Sequence, residues 1–157
     1  MQSHPTPVPG FFRAGAAAVI SNHSGQILCF ERADHPGAWQ LPQGGLKDGE
    51  EPLQAVSREI FEETALTSNQ LVLLDIHPEP LAYELPVQLR NPKVGRGQVL
   101  YWFLFRFLGN EAAIKLSRGK EFRSWQWMTF SRLLEIVVQF RQPVYRRVAA
   151  WVQTRGM

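Results

Sequence analysis

A single cysteine, Cys29, stands in the 157 residues, so no internal disulfide braces the fold. It sits in the apolar run Ile27-Leu28-Cys29-Phe30, which reads as a buried strand thiol rather than a nucleophile, and a reducing cytoplasm fits such usage. No apolar stretch approaches the length of a membrane-spanning helix. The segment Met1 to Gly10 lacks the basic and apolar regions of an export signal, so a cytoplasmic protein with no membrane association is expected. Histidine is scarce and dispersed, at His4, His23, His35 and His77, which argues against a zinc site or a histidine-driven triad. Neither a Walker-type glycine-lysine loop nor an internal repeat is present.

The residues that are present suffice for a core. At 157 residues and 45% hydrophobic, the chain is long enough to bury one and short enough for one domain. The proline-rich start, 1–10, reads as a flexible lead-in and 11–157 as a single domain. A net charge of +3 and a pI near 9.4 favour phosphorylated partners; Lys93, Arg96, Lys115, Arg118, Lys120, Arg146 and Arg147 offer a basic surface, most of it explained by solubility. Nothing points to an obligate protein partner.

The pattern along the chain mixes strands and helices. Ala16 to Ile20 and Gln26 to Glu31 flank the turn formers Ser21-Asn22-His23-Ser24-Gly25, which predicts a hairpin. Leu53, Val56 and Ile60 recur at helical spacing after Pro52, predicting a helix to about Ala65. Leu71 to Ile76 and Leu100 to Leu108 are strand-like. The segment between them, broken by Pro78, Pro80, Pro86 and Pro92, reads as irregular and as cover for a site. Ser124 to Thr129 reads as a last strand, Ser131 as the cap of a helix through Val138, and Val144, Val148 and Trp151 as an apolar stripe after Pro143.

On the Pro52 helix, Glu59, Glu62 and Glu63 stand three and four residues apart, so their carboxylates share one side. Like charges at this spacing cost a helix roughly 0.2 to 0.5 kcal/mol per pair, which a divalent cation offsets. Carboxylate oxygens with water suit the hard ions Mg²⁺ and Mn²⁺, which in turn bridge to substrate phosphates. For an arbitrary acidic helix the ordinary reading is a solvated face with Arg58 as partner. Here the context reverses it.

That context is Gly44-Gly45-Leu46-Lys47-Asp48-Gly49-Glu50, followed by the helix and Arg58-Glu59-Ile60-Phe61-Glu62-Glu63-Thr64-Ala65-Leu66. It resembles the Nudix box: Gly44, Glu50, Arg58, Glu59, Ile60, Glu62, Glu63 and Leu66 match in register, and Ala65 departs from the usual glycine. The resemblance implies an α/β (α+β) fold, the Nudix α/β/α sandwich with a mixed β-sheet between helices. It also implies Mg²⁺, with Mn²⁺ as a possible substitute, held by Glu59, Glu62 and Glu63 and joined by the Gly44 carbonyl. Arg58 would then hold a carboxylate in place and Glu50 support the loop.

The resemblance extends to Trp39-Gln40-Leu41-Pro42-Gln43, to Leu81-Ala82-Tyr83-Glu84-Leu85-Pro86 and to Gly97-Gln98 before Trp102-Phe103-Leu104. It continues through Glu121-Phe122 before Trp125-Gln126-Trp127, and through Val137 to Arg147. Together these are similar to bacterial RNA 5′-pyrophosphohydrolases and dinucleoside polyphosphate hydrolases. They imply a substrate that is a nucleotide or a 5′-phosphorylated RNA; the sequence does not separate the two. By this resemblance Glu121 is a metal ligand or the base for the attacking water, and Arg13 and Arg32 contact phosphate or base. Tyr83, Gln98, Phe140 and Arg141 are candidates for nucleotide contacts, since a ring stacks on a base and a guanidinium forks onto phosphate. Two rival functions stay open: clean-up of free nucleoside triphosphates, and a nucleotide-binding or RNA-binding module without turnover.

Overall fold

The computed structural model describes residues 10–116 and 120–156. The expected lead-in, with His4, and the basic residue Arg118 fall outside them, apart from Gly10 at the lead-in's end. Eight strands form one mixed sheet: β1 (Phe12–Ser21), β2 (Ile27–Arg32), β3 (Trp39–Gln40), β4 (Gln43–Gly45), β5 (Leu71–Ile76), β6 (Leu81–Glu84), β7 (Gly97–Phe107) and β8 (Phe122–Met128). Three α-helices accompany them, α1 (Pro52–Thr64), α2 (Phe130–Ile136) and α3 (Gln142–Gln153).

Period-two alternation explains why helices cover both faces. Along β1, Ala17 and Val19 point to one core and Ala16, Ala18 and Ile20 to the other; along β7, Leu100, Trp102 and Leu104 oppose Phe103, Phe105 and Phe107. The first core receives Leu133 of α2 and Val144, Tyr145, Val148 and Trp151 of α3, and the second receives Ala55, Val56 and Ile60 of α1. This is the expected sandwich. Cys29 is buried as expected, and burial pushes its thiol up to about 12, which keeps it unreactive.

The pairing departs from the sequence expectation at the supposed hairpin. The turn exists, yet β1 and β2 meet only at Ser21 and Ile27. Beyond that point β1 pairs in parallel with β7 from Phe12↔Gly97 to Ser21↔Arg106, and β2 pairs with β8 from Ile27↔Met128 to Arg32↔Phe122. Beside β1 the sheet instead takes in β4, with Gly15, Ala16 and Ala17 opposite Gly45, Gly44 and Gln43. The two strands of the turn therefore splay.

Other corrections are local. The proline-broken segment contains β6, which pairs with β7 from Leu81↔Leu100 to Glu84↔Gly97, because none of the prolines falls within Leu81–Glu84. The cap of α2 is Thr129, whose side chain accepts the Arg132 N–H at 3.1 Å, rather than Ser131, and the helix stops at Ile136. Leu53 keeps to the helical repeat but stays exposed, its place in the core being taken by Ala55.

The end of α1 carries the backbone irregularity that the sequence foreshadowed. Ala65 adopts φ 64° and ψ 6°, the sole positive φ at a non-glycine among the described residues. A left-handed alanine costs about 1–2 kcal/mol, against about 0.5–1 kcal/mol of extra chain entropy that glycine loses on folding. Ala65→Gly should therefore stabilise the protein by about 0.5–1 kcal/mol, or about 2–4 °C in Tm for each kcal/mol. A melting curve with an unchanged or lowered midpoint would refute strain at this cap.

Candidate active site

The loop before α1 is shaped by one guanidinium. Arg58 donates from Nε and Nη2 to the two oxygens of Glu50 (2.8 and 2.9 Å), from Nη2 to the Gly45 carbonyl (3.0 Å) and from Nη1 to Glu59 (2.8 Å). Glu50 also accepts the Lys47 N–H at 3.0 Å. The Arg58 hydrogen bonds hold the Glu50 carboxyl down at about 2, so this clasp stays charged over the working pH range. Burial pushes Glu59 the other way, with Arg58 opposing.

Gly44 explains how Glu59 comes so close to the sheet. A Cβ placed on Gly44 would lie 2.0 Å from Glu59 Cδ, and one on Gly45 would lie 2.3 Å from Arg13 Nη2. The two glycines thus seat an acid and a cation directly on β4. Arg13 at the start of β1 is near enough for its charge to favour the ionised form of Glu59.

The remaining acids gather from two elements remote in sequence. Glu63 of α1 accepts the backbone N–H of Glu121, which directly precedes β8, while its Oε2 is buried without a partner. Burial raises Glu63, and the neighbouring charges of Glu59 and Glu62 raise it further. Glu121 is pushed up to about 7, first by burial, then by the negative charge of Glu63; Arg32 and Arg141 pull in the opposite direction. Among the described residues no three acidic side chains meet at one point at metal-ligand distance. The donor set nevertheless fits a hard divalent cation: oxygen donors only, a buried carboxylate oxygen without a hydrogen-bond partner, and mutually repelling charges on one helix.

Opposite the acids lies a polar and aromatic wall. Arg32, at the end of β2, forks onto Asp34 (2.8 and 2.9 Å) and donates from Nη1 to Gln40 Oε1 (3.2 Å). Arg141, at the start of α3, donates from Nη1 to the same Gln40 oxygen. Its guanidinium lies 5.4 Å from the Phe140 ring and 6.0 Å from the Tyr83 ring. Of the expected nucleotide contacts, Phe140 and Arg141 are half-buried on this wall, whereas Tyr83 is 7% exposed and belongs to the core. The Tyr83 hydroxyl and the Gln43 amide both donate to Gln98 Oε1 at 2.9 Å, and Gln43 donates to the Tyr83 hydroxyl at 3.1 Å. Tyr83 and Gln98 therefore brace the cleft floor together.

Three contributors escaped the sequence reading. Gln40 and Gln43, buried on β3 and β4, were visible only as letters in the run Trp39 to Gln43. Glu31 is clamped by Arg123 (2.9 and 3.0 Å), Ser124 (2.7 Å) and the Gly37 N–H (2.8 Å), which ties the loop after β2 to β8. Hydrogen bonds from Arg123 and Ser124 hold Glu31 down at about 2. An acid in an apolar strand, paired to a residue far along the chain, gave no local signal.

Comparison with known proteins agrees with this geometry. The NUDIX domain family model matches residues 11–150. An RNA pyrophosphohydrolase of Rhodospirillum rubrum is 40% identical over 143 residues, spanning 88% of this chain and 86% of that protein. A crystal structure of a C. elegans Ap4A hydrolase binary complex superposes with a TM-score of 0.66 at 25% identity, covering 90% of this chain and 98% of the other. The E. coli dihydroneopterin triphosphate pyrophosphohydrolase shares the fold with a TM-score of 0.70 at 20% identity, covering 88% and 97%. No helix among the described residues is long and apolar enough to cross a membrane. The box with its loop clasp, the sandwich that carries it and the match over residues 11–150 establish that the chain belongs to the Nudix hydrolase family.

Proposed function

We propose that this hydrolase cleaves a phosphoanhydride bond in a nucleotide joined to further phosphates, either a 5′-triphosphate RNA end or a dinucleoside polyphosphate. The observation that carries the reading is the meeting of half-buried Glu121 with half-buried Glu63, flanked by Glu59, with Arg13 near Glu59 and Arg32 and Arg141 near Glu121. Acids that raise one another's pKa call for cations, and the facing arginines call for anions, a combination suited to a metal-chelated polyphosphate. The names of the relatives, an RNA pyrophosphohydrolase and an Ap4A hydrolase, support both substrate types.

In this reading Glu59, Glu62 and Glu63, with the Gly44 carbonyl, hold Mg²⁺, for which Mn²⁺ substitutes. The ion supplies Lewis-acid polarisation of a phosphoryl oxygen when bound. Glu121 either completes the ligand set or accepts the proton of the attacking water, a role that suits a carboxyl poised near 7. Water adds to phosphorus, the bridging P–O bond breaks, and the departing phosphate leaves with the electron pair. Arg58 keeps Glu59 in place, and Arg13, Arg32 and Arg141 orient the phosphates. The Phe140 ring packs against the bound base.

Purified protein incubated with Mg²⁺ and either triphosphorylated RNA or diadenosine tetraphosphate should release identifiable phosphate or nucleotide products. Release from neither removes the assignment, while a preference for free nucleoside triphosphates converts it to nucleotide clean-up.

Proton linkage supplies a second test. Glu59, Glu63 and Glu121 all have raised folded-state values, so their stabilising contribution is complete below about 4.5 and is lost as pH climbs through about 7 for Glu121. A cation displaces those protons and offsets that loss. The rise in Tm on adding Mg²⁺ should therefore grow between pH 5.5 and 8; a shift equal at both pH values would place the ion away from these acids.

A further inference from the structure

Gln40 occupies an unusual position between two cations. Its side chain is 1% exposed, and its Oε1 accepts from both Arg32 Nη1 and Arg141 Nη1, residues that are 109 positions apart in the chain. The amide orientation is dictated by its neighbours, since turned about it would aim N–H at N–H. In consequence Gln40 Nε2 is buried without a partner. Arg141 Nε is likewise buried and unpartnered, and no carboxylate forms an ion pair with Arg141 among the described residues. A buried amide satisfied on one side only, beside a guanidinium whose Nε is buried without a partner, is a poor way to build a core. It is a good way to hold two positive charges side by side until an anion arrives.

We propose that Gln40 is a positioning residue: its amide oxygen tethers Arg32 and Arg141 as a pair that grips a phosphate of the nucleotide substrate. The proposal rests on the polyphosphate reading of the cleft. Asp34 fixes the far edge of Arg32, and the Phe140 and Tyr83 rings bed Arg141. That leaves Arg141 Nη2, which is not among the buried atoms, as the donor for the anion. The alternative role for Gln40 is purely structural, stitching β3 to the start of α3.

Two substitutions at one position separate these roles. Gln40→Met keeps the volume and removes the tether, whereas Gln40→Glu keeps an acceptor for both guanidiniums and cancels a positive charge. Positioning predicts that Gln40→Met raises KM for diadenosine tetraphosphate, and weakens ADP binding measured by calorimetry, by about tenfold, with kcat altered by less than about threefold. It also predicts that Gln40→Glu loses affinity although its Tm is not lowered; a structural stitch would be rescued by glutamate. In combination with Arg141→Gln the losses should fall short of multiplying, because Gln40 acts partly through Arg141.

KM and ADP affinity within twofold of wild type in Gln40→Met, or full recovery in Gln40→Glu, overturn the proposal. If the methionine variant does not fold, the glutamate variant decides alone. If the wild-type enzyme turns over none of the substrates, the functional reading fails, and the ADP affinities still judge Gln40.

Discussion

Glu63→Gln should lower kcat by about a thousandfold or more while leaving the protein at least as stable as wild type. Glu63 is the acid at which the two halves of the cluster meet, since it takes the Glu121 N–H and has a buried oxygen with no hydrogen-bond partner. An amide keeps the volume and still accepts that N–H, so the link from α1 to β8 survives. What disappears is one of the proposed anionic ligands, and with it, on that assignment, several kcal/mol of transition-state charge stabilisation. Removing one of several mutually repelling carboxylates adds roughly a few tenths of a kcal/mol to stability. The pairing of outcomes is diagnostic: kcat measured at saturating Mg²⁺ should collapse while the melting midpoint stays level or rises. A tenfold or smaller loss of kcat would mean that the cation sits elsewhere, and a collapse of both would mean that Glu63 is a structural acid.

The acidic helix is legible in the amino-acid sequence because every signal for it is local. Pro52 opens the helix, Val56 and Ile60 repeat at helical spacing on its buried side, and the glutamates share its other side; one stretch of chain contains the whole pattern. The bounds of β5 are legible for the same reason. The expected hairpin holds only at its turn, where Ser21 pairs with Ile27, because a turn reports only on its own residues. Whether β1 continues beside β2 or beside β7 depends on residues 85 positions away, and the small residues Gly15, Ala16 and Ala17 let β4 sit beside β1. β6 hides between prolines that flank it without entering it. In the cleft the same division holds. Glu59, Glu62 and Glu63 follow from spacing, whereas Glu121 needs family resemblance, and the tie between Arg32 and Arg141 through Gln40 is visible only in three dimensions.

Gly44→Ala should cost about a hundredfold in kcat although it removes none of the proposed metal ligands. The added Cβ would fall 2.0 Å from Glu59 Cδ and 2.4 Å from its Cγ, so both atoms must give way. They cannot yield freely. Glu59 is held by Arg58, and Arg58 is itself fixed to Glu50 and to the Gly45 carbonyl next door. Moving β4 instead would break its register with β1 at Ala16↔Gly44. Either route shifts a ligand by about 1 Å, a misplacement that can cost about a hundredfold in rate. Overpacking of this kind also costs about 1–3 kcal/mol of stability. Gly10→Ala is the matched control, because its Cβ would meet nothing within 4 Å and neither rate nor Tm should move. If Gly44→Ala retained full activity, the close approach of the acid to the strand would be irrelevant to turnover. Excess Mg²⁺ supplies the finer distinction: a displaced ligand weakens metal affinity, so part of the lost rate should return as the concentration rises, whereas a broken sheet would not respond.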